Sequence, residues 1–109
     1  MAYDEGLAEI LRGDFSDADR IEEKRMFGGL CFMLRGHMLC GVHKDGGMFR
    51  VGKEREAEAL KIEGVSEMAF TGRKMGGLVD VTDEVLADDD RRAQLIALAR
   101  QNVDSLPPR

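Results

Sequence analysis

The sequence predicts an α+β domain in which helices pack on an antiparallel sheet. Three observations carry that prediction. Short apolar runs, Leu30–Leu34, Met38–His43 and Met48–Val51, are separated by Arg35-Gly36-His37 and by Lys44-Asp45-Gly46-Gly47, the punctuation of an antiparallel meander. Stretches with apolar residues at helical spacing stand at both ends and between the runs, so helices and hairpins alternate along the chain. A length of 109 residues, with 43% hydrophobic and 34% charged content, is enough for one buried core and excludes disorder. A single domain over residues 1–109 is expected.

The elements follow in order. Asp4 to Arg12 carries Leu7, Ala8, Ile10 and Leu11 at helical spacing and ends at Gly13, a residue type that readily caps a helix C-terminus. Gly13 to Arg20, rich in Asp and including Ser16, reads as a loop. Ile21 to Phe27 is a mostly polar first strand that breaks at Gly28-Gly29, and the three apolar runs supply three more strands. Gly52 closes the last of these. Lys53 to Lys61 returns to helix, with Ala57, Ala59 and Leu60 among Glu and Arg. Glu67–Phe70 and Leu78–Val81 form two further strands joined by a loop from Thr71 to Gly77. The last helix runs from about Asp88 to Leu106. Leu95, Leu98, Ala99, Val103 and Leu106 lie on one stripe, three aspartates sit at the start where the helix dipole favours negative charge, and Pro107-Pro108 stops it.

Charge and cysteine content bound the function classes. The formal net charge of −5 argues against indiscriminate nucleic-acid binding. Its distribution is uneven: Lys24 to Lys74 holds ten Lys/Arg against six Asp/Glu, whereas the flanks are acidic. The acidic N-terminus, Met1-Ala2-Tyr3-Asp4-Glu5-Gly6, has neither the basic nor the apolar region of a secretory signal. The longest strongly apolar stretch, Leu30–Leu34, is far short of the roughly 20 residues of a membrane span. A cytoplasmic protein with two reduced thiols, and no membrane partner, is expected.

Arg25-Met26-Phe27-Gly28-Gly29-Leu30 gives the sequence its most recognisable segment. With the preceding Glu22-Glu23-Lys24, and with Cys40-Gly41-Val42-His43, Arg50-Val51-Gly52, Phe70-Thr71-Gly72-Arg73-Lys74-Met75 and Ser105-Leu106-Pro107-Pro108 in the same order, the chain resembles the N-terminal domain of the TfoX/Sxy family of bacterial competence regulators. The resemblance implies a two-layer fold of the secretion-chaperone type with the order α-β(3)-α-β(2)-α. That order has one strand fewer before the second helix than the residues themselves predict. For function it implies a non-enzymatic regulatory or protein-interaction module in the transcriptional control of DNA uptake, working with a protein partner such as the cyclic-AMP receptor protein. Full-length competence regulators of the family are similar to this chain over their first half only and carry a second, helical domain.

Four constellations are tested for chemistry. A two-residue turn at Arg35-Gly36 sets Cys31 opposite Cys40 in a non-hydrogen-bonded pair, where Cα atoms approach to about 4.5 Å, so the two form a candidate redox pair against the alternative of two small buried apolar residues. Metal binding is not expected: Cys40 and His43 are three apart on a strand, which sends them to opposite faces, and no CxxC or HExxH is present. No cofactor motif is found, since Gly28-Gly29, Gly46-Gly47 and Gly76-Gly77 fit neither GxxxxGK[ST] nor GxGxxG. Lys24, Arg25, Arg73 and Lys74 are candidate contacts for an anionic partner, the last two on a loop. A small enzyme or an anion- or ligand-binding protein built on the thiols or on that loop is the alternative to the interaction module. No catalytic residue is assigned and no specific DNA binding by the chain is expected.

Both faces of the Leu30–Val51 meander are apolar: Leu30, Phe32 and Leu34 alternate with Cys31 and Met33, and Met38, Cys40 and Val42 alternate with Leu39 and Gly41. Helices cover one face. The other is expected to pair with a second copy of the chain or with a partner protein.

Overall fold

A computed structural model of the chain describes residues 4–15, 21–26, 29–70 and 73–106. The Asp4 carboxylate accepts hydrogen bonds from the N–H groups of Gly6 (2.8 Å) and Leu7 (3.2 Å), and so caps α1 (Glu5–Asp14). Leu7, Ala8 and Leu11 form the buried stripe of this helix. The helix continues through Gly13, and Phe15, predicted to be loop, is its C-cap and part of the core, with its ring centroid 5.5 Å from that of Phe32.

Among the described residues six strands form one antiparallel sheet: β1 (Ile21–Met26), β2 (Gly29–Leu34), β3 (His37–His43), β4 (Gly46–Arg50), β5 (Val65–Phe70) and β6 (Arg73–Val81), in the spatial order β1-β2-β3-β4-β6-β5. Four of them precede α2 (Glu56–Leu60), as the punctuated runs predict, where the order α-β(3)-α-β(2)-α has three. Lys44 and Asp45 alone make the turn after β3, so β4 starts at Gly46, paired with His43. The expected loop from Thr71 is shorter too. Arg73 and Lys74 belong to β6 and pair with Phe70 and Ala69. After β6 the Thr82 hydroxyl accepts from the Val85 N–H and starts α3 (Asp83–Ala87), a helix the sequence reading lacks. Asp88 then caps α4 (Asp89–Asp104) by accepting from the N–H groups of Asp90 and Arg91. Ser16, Phe27-Gly28, Thr71-Gly72 and Pro107-Pro108 lie outside the described residues.

The helices share one side of the sheet. Leu7, Ala8 and Leu11 of α1, Ala59 of α2, Val85 and Leu86 of α3 and Leu95, Leu98, Ala99 and Val103 of α4 join Leu30, Phe32, Leu34, Val42, Phe49, Val79 and Val81 in one core. On the opposite face Cys31, Met38, Met48 and Leu78 make a second, smaller cluster with Met33 packed against it. The expectation of an open apolar face is corrected here: Cys31 and Met48 are 0% exposed within the single chain.

The alternation on β3 is not the one the sequence predicts. Met33 pairs with Met38, but Phe32 pairs with Cys40, so Leu39 is an extra residue, a β-bulge. Leu39 and Cys40 therefore both join the helix-side core, while Met38 and Cys31 belong to the opposite face.

Candidate functional site

The bulge decides the fate of the candidate redox pair. Cys31 pairs with Gly41 and Cys40 with Phe32, so the two thiols do not face each other and lie on opposite sides of the sheet. The expected Cys31–Cys40 register is thus overturned: a hairpin of strictly paired residues would align them, and one inserted residue reverses the parity. Both thiols are free and buried. Burial pushes the Cys31 thiol up to about 11 and the Cys40 thiol higher still. Thiolate is the reactive form, so neither sulfur is activated at neutral pH. The expected result with iodoacetamide at neutral pH is no modification of the folded chain and two modified cysteines once denaturant is added, read by intact mass. Mild oxidant should give no intramolecular disulfide.

The four candidate cations are not brought together. Lys24 and Arg25 are exposed on β1, the first strand of the sheet, whereas Arg73 and Lys74 belong to β6, the fifth in spatial order. The separation is four interstrand steps of about 4.8 Å each. Moreover Lys24 and Arg25 directly follow Glu22 and Glu23, also exposed, so the strand carries no net charge. Arg12 of α1 binds Glu23 through Nε (2.8 Å to Oε2) and Nη2 (2.9 Å to Oε1), which holds the Glu23 carboxylate below its ordinary range. The side chains of Arg73 and Lys74 lie outside what the structure describes.

The fold brings a carboxylate to His43. Asp80 on β6 pairs with Met48 of β4, and His43 lies one strand further, beside Gly46. The imidazole reaches across β4, where Gly46 has no side chain, and its Nε2 lies 2.7 Å from Asp80 Oδ1. The N–H of Asp45 donates to Nδ1 at 3.1 Å. An imidazole nitrogen that accepts leaves the proton on the other, so the Nε2–H donates to Asp80. Both ring nitrogens are engaged, and the pair braces the β3–β4 turn against β6. The two residues are 37 apart in sequence, and only the crossover that places β6 beside β4 unites them.

A second polar assembly sits between α1 and α4. Arg92, buried among carboxylates, donates from Nε to Asp14 Oδ2 (2.5 Å), from Nη2 to Asp89 Oδ1 (2.8 Å) and from Nη1 to the Leu86 carbonyl (2.8 Å). It thereby ties the end of α1 to the start of α4 and the end of α3. Beside it lies an open groove of about 320 Å³, lined by Ala93, Ile96, Ala97 and Arg100 as well as by the Asp14, Asp89 and Arg92 side chains. The guanidinium is spent on these internal acceptors. Among the described residues no group of three or more His, Cys, Asp or Glu could hold a metal ion, and no helix is long and apolar enough to cross a membrane.

A sequence profile described as the TfoX N-terminal domain matches residues 14–103 of the 109-residue chain. Comparison with curated proteins and with solved structures gives no significant match. The profile covers most of the chain, and the chain belongs to the TfoX N-terminal domain family.

Proposed function

We propose that this TfoX N-terminal domain protein is a non-enzymatic regulatory module of the bacterial cytoplasm, which binds a protein partner and through it acts on the transcription of genes for DNA uptake. Family membership over residues 14–103 carries the reading. The local chemistry supports it: both thiols are shielded, both nitrogens of His43 are engaged, and Arg92 is closed among its own acceptors. With a net charge of −5, the chain favours a protein partner that itself holds the duplex, a transcription factor such as the cyclic-AMP receptor protein.

The test is transcription in vitro from a DNA-uptake promoter with RNA polymerase, the receptor protein and cyclic AMP. Added chain is expected to raise the transcript and to co-sediment with the receptor protein. An unchanged transcript with no co-sedimentation overturns the reading. Alone, the chain is expected to show no sequence preference for duplex DNA at physiological salt. Selective binding at the level of about 10⁻⁸ M or tighter, typical of specific complexes, would make it a DNA reader instead.

A further inference from the structure

We propose that the free edge of β1 is a self-association surface, on which a second copy of this chain adds its own β1 antiparallel to continue the sheet. Among the described residues β1 hydrogen-bonds only to β2 and ends the sheet on that side. Glu22, Glu23, Lys24 and Arg25 are all exposed. The Leu34–His37 pair closes the two-residue turn Arg35-Gly36, so Leu34 turns its polar groups to β3 and Met33 turns its own to β1. Alternation then commits the N–H and C=O groups of Glu22, Lys24 and Met26 to β2, through the pairs Glu22–Met33, Lys24–Cys31 and Met26–Gly29. The N–H and C=O groups of Ile21, Glu23 and Arg25 point away along the open edge.

Symmetry and charge select one register. Two antiparallel copies of one edge are related by a two-fold axis normal to the sheet, which keeps both helix layers on the same side and pairs residues of like parity. Three central pairings are then available. Glu22 against its own copy opposes two carboxylates, and Lys24 against its own copy opposes two ammonium groups. Glu23 against its own copy is different, because each Glu23 is already held by its Arg12 at 2.8 and 2.9 Å. In this register Ile21 meets the second copy's Arg25 and Glu23 meets Glu23, all three positions with outward polar groups. Glu22 meets the second copy's Lys24 twice, on the face away from the helices. Those are non-hydrogen-bonded positions, where side chains of an antiparallel pair come closest, and opposite charges there are favourable. Glu22 and Lys24 thus give this register two opposite-charge pairs, one on each side of the two-fold axis. The opposite edge, β5, has no such pattern in its described side chains, Val65, Ser66 and Glu67. Five residues span only about 17 Å of edge, so the dimer is a reversible one.

This inference does not depend on the regulatory reading and is tested without it. Sedimentation velocity over a concentration series should show reversible growth from 12.1 kDa toward twice that mass, weakening as salt screens the exposed pairs. Glu22→Lys and Lys24→Glu should each give a folded monomer, and the double variant Glu22→Lys/Lys24→Glu should dimerise again. Arg25→Pro removes one outward N–H at an edge position where proline is tolerated, and gives a second route to a folded monomer should a charge variant fail to fold. An unmodified protein that stays monomeric at every concentration overturns the proposal. So does a dimer that ignores the single charge reversals, or a double variant that remains monomeric.

Discussion

Gly29→Ala is expected to abolish folding, leaving the variant insoluble or without a native far-UV circular dichroism spectrum. A Cβ at position 29 would stand 2.0 Å from the Val42 carbonyl oxygen and 3.0 Å from its carbon. Both belong to the backbone of β3, so relief requires β2 and β3 to separate along the ladder that anchors the meander. Gly46→Ala should fail for a related reason at the other seam. Its φ of +144° is one that L side chains rarely adopt, and a Cβ there would lie 2.2 Å from the Val81 carbonyl oxygen. Gly13→Ala is the matching control: nothing lies within 4 Å of its Cβ position inside α1. That variant should fold and gain about 0.5–1 kcal/mol in urea denaturation, the helix cost of glycine relative to alanine. A soluble, native-like Gly29→Ala protein would contradict the close approach of β2 and β3.

Loss of the Arg92 guanidinium is the second large effect. Its side chain is 8% exposed, whereas its partners Asp14 and Asp89 are 28% and 88% exposed. Truncation of one member of a fully buried pair costs about 3–5 kcal/mol. Because water reaches both carboxylates, Arg92→Ala should lie lower, at about 2–3 kcal/mol, measured as a shift in the urea midpoint with an unchanged slope. Arg92→Lys should recover only part of it. An ammonium group lacks the planar fork that meets Asp14, Asp89 and the Leu86 carbonyl at once. Equal stability of Arg92→Ala and the unmodified chain would show that α1 and α3 hold to α4 without the guanidinium.

Local pattern was sufficient for most of this architecture. Glycine-bounded apolar runs located β2, β3 and β4, and the spacing of Leu95, Leu98, Ala99 and Val103 located α4, because those signals reside within a few residues. The failures have separate causes. The bulge at Leu39 puts two successive residues on the helix side, and that one break in the alternation separates Cys31 from Cys40. The bracing of His43 by Asp80 depends on β6 lying beside β4, and nothing near His43 specifies that neighbour. The short helix α3 did have a local sign, Thr82 before two acidic residues and Val85-Leu86, the composition of an N-cap and first turn. At five residues it is too short for periodicity to reveal it. The charged edge was visible as a polar strand, but its openness follows from the order of strands.

The inserted Leu39 also settles how the chain meets an oxidising burst. A disulfide can form only between cysteines whose Cα atoms are within about 7 Å and whose Cβ vectors converge. In an unbulged hairpin Cys31 and Cys40 would satisfy that condition on a shared face, and a passing peroxide would staple them. With Leu39 in place the sheet stands between the two sulfurs as a septum, one thiol under the helices and the other among methionines. A single-residue irregularity in the pairing thus keeps the two cysteines of one hairpin apart.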